Sequence, residues 1–244
     1  FIIGHIGMAL LGAALLPRKR VAFAVFALVL VWFLLNDYSD KSYKAEKVFV
    51  KESLRKLGEI SPVELTADEA IDYALLEGRL TIRSYEHAKE DYRLKQPDTY
   101  SPTEAIYILT VRATNNFAGN LLSRLDRTPA LIQQGITNLN RKDANPPKLW
   151  TENAIEGAKG GITFLDSLPE HPKVRAAAID ANTLSAAIGK AKSSINDFAA
   201  FLERHLLPRS NADYAVGEEH FNLLLKNKHF LEHDAQSLLA LGES

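Results

Sequence analysis

The 244-residue sequence contains no cysteine. That excludes disulfides, thiolate catalysis and cysteine-ligated zinc or iron–sulfur centres. It also lacks a charge of either sign in excess: 29 basic residues stand against 30 acidic ones, so nothing global draws it to nucleic acid. No glycine-rich phosphate loop is present; EGAKGG at 156–161 lacks the GK[ST] ending and no strand precedes it, so its small residues suit close helix packing. The G-x-S-x-G elbow of serine hydrolases is absent too. Alternating apolar and polar residues bounded by turn signals are missing, which removes the usual evidence for strands and hairpins. No fixed-period repeat favours a solenoid.

What is present falls into two parts. Residues 1–16 (FIIGHIGMALLGAALL) and 21–35 (VAFAVFALVLVWFLL) are apolar runs separated by PRKR at 17–20. The second approaches the length of a bilayer span, with Trp32 near one end, where an amphipathic ring favours the interface. No small-residue cleavage site follows, which favours an uncleaved anchor. Arg18, Lys19 and Arg20 would stay cytoplasmic by the positive-inside rule, sending the chain after residue 38 to the far side. Residues 1–38 are thus expected to be a membrane anchor, one span or a hairpin; a buried helical hairpin of a soluble protein is the other reading. The sequence starts inside an apolar run, its only methionine is Met8, and it stops at LGES, so we expect a fragment of a longer chain.

Residues 39–244 are expected to form one all-α, multi-helix globular domain. Thr66 and Glu69 make a capping box, followed by Ile71, Ala74, Leu75 and Leu80 at helical spacing. Ser101-Pro102-Thr103-Glu104 is a second start signal, with serine as cap and proline first in the helix. Ile106, Leu109, Ala113, Phe117, Leu121 and Leu125 then keep a three-to-four spacing, which predicts one long helix. Pro129 predicts a new start, Pro146-Pro147 a loop, and Thr151 a cap for the helix that follows. Pro169 and Pro172 bound a linker. A long helix is expected from about Val174 to Leu207, breaking near Asn182 and stopped by Pro208. Another starts near Gly217, and Asp234 caps the last.

The candidate chemistry is sparse. His229, Glu232 and His233 in HFLEH satisfy the inverted zinc pattern H-x-x-E-H, in which both imidazoles bind metal and the glutamate acts as base. Catalytic zinc needs a third protein ligand, and the helix start at Asp234 would put the histidines in a linker. A polar helix end is the competing reading. Glu218, Glu219 and His220 read as the first turn of a helix, where acidic residues favour the macrodipole. Glu203 and His205 cannot share a helix face at a spacing of two. Arg204 and Arg209 flank Pro208 and could clamp a carboxylate, or be ion-paired or solvated. Tyr85, Tyr92 and Tyr100, near Lys89, Arg93 and Lys95, read as the flank of an amphipathic helix rather than an RNA platform.

From about Glu77 onward the chain resembles a bacterial family, domain of unknown function family 885. The resemblance rests on ordered pieces: Arg124-Leu125, Pro129 and Leu131, NLN at 138–140, Pro146-Pro147, TENAIEG at 151–157 and FLDSLP at 164–169. FLERHLLPRS at 201–210, YAVGEEHFNLLL at 214–225 and LLALGE at 238–243 complete it. The resemblance implies a helical, zinc-peptidase-like protein, exported or membrane-attached, with an HExxH helix and a later glutamate ligand downstream of these pieces. It carries no catalytic residue to any position here. It implies zinc and a peptide substrate for the longer parent, and an inner-membrane location with the body facing the periplasm or exterior. A non-catalytic, membrane-anchored helical binding or scaffold module is the alternative.

Overall fold

The computed structural model describes residues 37–243. Nine α-helices follow in chain order among them: α1 (Asp40–Leu57), α2 (Ala67–Lys89), α3 (Thr103–Val111), α4 (Phe117–Leu139), α5 (Lys148–Ser167), α6 (Pro172–Ala176), α7 (Ala181–Phe201), α8 (Gly217–Asn227) and α9 (Ala235–Glu243). The described residues contain no strand, so the expected all-α class stands. None of these helices is long and apolar enough to cross a membrane. The proposed anchor lies almost wholly outside the described residues, which begin at Asp37.

Where one domain was expected over 39–244, contacts divide the described residues into two compact units. The first comprises residues 40–91 and 215–243, and the second residues 37–39 and 92–214.

In the first unit α2 packs on α1 and on α8. The capping box forms as read: Thr66 Oγ1 accepts from the Glu69 amide at 3.4 Å, and Glu69 Oε2 accepts from the Thr66 amide at 3.0 Å. Val50 and Leu57 of α1 meet Leu76 and Leu80 of α2, with Leu54 and Tyr73 beside them. Each buried aliphatic side chain there contributes about 1.5–3 kcal/mol of transfer free energy.

In the second unit α4 and α5 both pack against α7. Leu121, Leu125, Leu139, Leu165, Ile195 and Leu202 are almost completely buried at their junction. Two glycines allow close approach. A Cβ on Gly135 would lie 2.7 Å from Cγ of Tyr100, and one on Gly161 would overlap the Thr103 hydroxyl. Of the three glycines in EGAKGG, only Gly161 serves tight packing; Gly160 faces open space.

Several helix boundaries differ from the expected ones. The predicted long helix divides: α3 ends at Val111 and α4 begins at Phe117. Lys173 Nζ donates to the carbonyls of Leu109 (2.7 Å) and Arg112, ending α3. Asn116 adopts φ 53° and its side chain accepts from the Gly119 amide, starting α4. Pro129 opens no helix but lies inside α4. An interior proline costs about 3 kcal/mol, and here Leu125, Thr128, Leu131 and Ile132, all buried, hold the helix through it.

Ser101 makes no cap bond, because α3 begins one residue later, with Pro102 at the cap. Thr151 is not a cap either: α5 begins at Lys148, after Pro147. The buried Thr151 hydroxyl instead sits 2.8 Å from Ser210 Oγ. The expected break near Asn182 is present slightly earlier. α6 ends at Ala176, Ala178 takes φ 48°, and Asp180 caps α7 by accepting from the Thr183 amide at 2.8 Å. α7 then runs into a π-helical turn, Leu202–Leu206, and a 3₁₀ turn holding Pro208.

Candidate functional site

A polar arrangement in the first unit joins three helices. Arg83, Glu86 and His87 follow at i, i+3 and i+4 on α2, and so share a face. Glu46 reaches them from α1: its Oε1 lies 2.8 Å from Arg83 Nε, 2.7 Å from Arg83 Nη2 and 3.4 Å from His87 Nε2. Arg83 Nη1 also donates to Glu86 Oε2 at 3.4 Å. Glu86 Oε1 in turn lies 3.7 Å from Nε2 of His220, carried by α8. The result is a row of alternating character, imidazole–carboxylate–guanidinium–carboxylate–imidazole. A second row runs alongside: Lys89 Nζ bonds Glu219 Oε2 at 3.0 Å and sits 5.1 Å above the Tyr85 ring, which packs against His220 at 5.2 Å.

His87 is the most enclosed member, its side chain only 4% exposed. Neither of its ring nitrogens forms a well-aligned hydrogen bond. The Tyr43 ring stands edge-on to it at 5.3 Å, and Lys47 Nζ donates to the His87 carbonyl at 2.8 Å. Burial raises the Glu46 carboxyl, but the adjacent His87 and Arg83 outweigh it and hold that group below its ordinary 4.5. The Lys89 and Tyr85 contacts likewise hold Glu219 low. Such pairs can hold a proton or tie helices together. They make no metal site: among the described residues no three histidine, aspartate or glutamate side chains converge closely enough to hold an ion.

His229, Glu232 and His233 lie in the connection between α8 and α9, all three exposed. Phe230 between them has φ 54°, so the helical i, i+4 geometry of the zinc pattern is lost. These residues do not fit a zinc centre. Asp234 caps α9, its Oδ1 accepting from the Ser237 amide at 2.8 Å. Glu218 and Glu219 do occupy the first turn of α8.

The arginine at 209 serves the main chain. It donates to the carbonyls of Arg141 (3.0 Å), Ala144 (3.2 Å) and Leu139, closing the carboxyl end of α4. Arg204 is exposed, and Glu203 pairs with Lys159 at 3.0 Å. Tyr92 and Tyr100 are not a helix flank, since α2 ends at Lys89. Tyr100 is fully buried; its hydroxyl donates to the Arg93 carbonyl at 2.8 Å and accepts from Asn138 Nδ2 at 3.0 Å. An open groove of about 600 Å³ lies beside α7, with buried Leu165, Val174, Leu184 and Ile188 and the Asp166–Lys192 pair on its lining.

Sequence reasoning passed over Glu46, Arg83, Glu86 and His87. The α2 spacing was a readable signal for three of them. Glu46 stands 37 residues before Arg83 and carried none.

Together these features define, over the described residues, an all-helical protein of two units in which Arg93, Arg124, Lys173 and Arg209 each grip a main-chain carbonyl. The chain belongs to the family described as bacterial protein of unknown function (DUF885), whose model matches residues 34–244. No curated protein matches it. Among solved structures it is similar to a protein from Shewanella oneidensis described as a lipoprotein of unknown function. That match has a TM-score of 0.72 at 16% identity, and covers 91% of this chain and 43% of that one. The chain thus spans less than half the length of that protein, and the likeness is one of fold.

Proposed function

We propose that this chain is the anchor and helical scaffold portion of a longer, zinc-dependent peptidase or hydrolase of the bacterial envelope. Its zinc-binding HExxH helix belongs to polypeptide outside these residues. Residues 21–35 cross the inner membrane with Arg18, Lys19 and Arg20 on the cytoplasmic side, and the body faces the periplasm or exterior. Peptides are the substrate class. The second unit supplies one wall of the substrate cleft, through the groove beside α7.

The observation that carries this reading is a set of cations in the second unit that turn to the main chain. Arg93, Arg124, Lys173 and Arg209 each donate to a main-chain carbonyl, which makes them parts of a frame. Family membership and the 43% coverage of the longer Shewanella protein support a parent with room for a catalytic half. The description of that protein as a lipoprotein supports attachment to a membrane.

The test is peptide hydrolysis with added zinc, with and without chelator, by this chain and by the full-length Shewanella protein. Zinc-dependent cleavage by the long protein and none by this chain is expected. Cleavage by this chain, or none by either, overturns the reading. The second outcome favours a binding or scaffold module, for which the individually exposed Phe221, Phe230 and Leu239 are apolar positions to test.

A further inference from the structure

The first described residues are held with unusual completeness for a segment that follows an apolar run. The Tyr38 amide donates to Gln134 Oε1 at 2.8 Å, and Gln134 Nε2 donates to Asp37 Oδ1 at 2.9 Å. The Tyr38 carbonyl accepts from Asn138 Nδ2 at 3.0 Å and from Arg93 Nη1 at 2.9 Å. Asp37 turns back on its own chain, taking the Ser39 amide at 2.9 Å and the Ser39 hydroxyl at 3.1 Å. The Tyr38 ring stands edge-on to Tyr92 at 6.4 Å and to Tyr100 at 5.1 Å. Both peptide groups of Tyr38 and its side chain are therefore engaged within the second unit.

The apolar run ends at Leu35, two residues before Asp37, a reach of at most about 7 Å. A chain that left the bilayer at Leu35 would have no slack before entering this clamp. A free tether of a dozen residues would let the body tumble; two residues do not. Gln134 lies on α4, and Ala130 and Thr137, one turn to either side, are exposed. With the helix about 10–12 Å across, those positions fall within about 20 Å of the lipid headgroups.

We infer that the Asp37–Ser39 clamp sets the second unit at a fixed, short distance from the bilayer, with the α4 surface around Gln134 turned to the lipid headgroups. The partner is the membrane surface itself. This deepens the proposed function and rests on its anchor.

Because the chain has no cysteine, any one introduced is a unique label. The experiment places a donor dye on Ala130→Cys or Thr137→Cys in the full chain. The protein is reconstituted in phosphatidylethanolamine–phosphatidylglycerol vesicles carrying a short-range acceptor on the headgroup. A matched chain carries twelve Gly/Ser residues inserted between Asn36 and Asp37, which adds slack and leaves the clamp intact. Strong transfer in the natural chain, falling at least twofold with the insertion, is expected. Transfer that is weak, or the same with and without the insertion, overturns the clamp while both proteins still float with the vesicles. Failure to float overturns the anchor instead, and the inference with it.

Discussion

In the first unit, Gly78 of α2 faces the main chain of Asn227, the last residue of α8, so closely that a Cβ would overlap the Asn227 carbonyl oxygen. Backbone cannot rotate aside as a side chain would. Gly78→Ala should therefore push α8 from α2 and cost about 1–3 kcal/mol, the usual penalty of overpacking. Gly160, inside α5, meets nothing within 4 Å. Gly160→Ala should instead stabilise by about 0.5–1 kcal/mol, through helix propensity alone. Urea denaturation of the two variants checks the opposite signs; equal effects would remove the packing argument.

Acid should loosen the row of charges on α2. The Glu46 carboxyl is held below its ordinary 4.5 by His87 and Arg83, against burial. A carboxyl depressed on folding contributes stability that is present above about 4.5 and lost as pH falls through the depressed value. Glu46→Gln should therefore be less stable than the natural chain at pH 7, by about 1 kcal/mol for a partly exposed charge-assisted pair. The gap should close in acid, between about pH 4.5 and the depressed value. Denaturant midpoints at pH 7, 5 and 3.5 test this, and a gap independent of pH would contradict it.

The features legible in the sequence are those whose cause lies within about four residues. The Thr66–Glu69 box, the Asp234 cap, the start at Gly217 and the loop at Pro146-Pro147 all act locally and all formed. The features that escaped are made by distant partners. The gap before α4 is held open by Lys173, 61 residues beyond Arg112. Pro129 stays helical because of the core around it, and Thr151 serves Ser210, 59 residues on, instead of its own helix end. In the α2 cluster, Arg83, Glu86 and His87 were within reach of spacing rules. Glu46 and His220 come from other helices, so their pairing depends on tertiary packing. The zinc pattern at 229–233 failed in the opposite way: a local match was undone by the chain turn at Phe230.

Arg209 should prove essential to the second unit although it touches no carboxylate. Its fork collects three carbonyls where α4 ends, and a lysine cannot reproduce that planar set. Arg209→Lys should cost about 1–3 kcal/mol, and Arg209→Met more, because carbonyls would be left without donors. Arg204→Met, at an exposed position in the same segment, should stay within about 0.5 kcal/mol of the natural chain. Thermal melts of the three variants decide the matter. Similar losses at 204 and 209 would point to charge instead of carbonyl capture.

Ala178 offers a gain in stability. It holds φ 48° in the turn between α6 and α7, a conformation that crowds an L side chain at a cost of about 1–2 kcal/mol. Glycine accepts that conformation freely but leaves the unfolded chain more disordered, which removes about 0.4–1 kcal/mol. The difference favours Ala178→Gly by about 0.5–1 kcal/mol. Ala177 precedes it with an ordinary φ of −75°, so Ala177→Gly relieves nothing and should destabilise by the entropic amount alone. Paired urea titrations would show midpoints moving in opposite directions. If both glycines lower the midpoint, the left-handed turn at Ala178 stores no strain that a side chain feels.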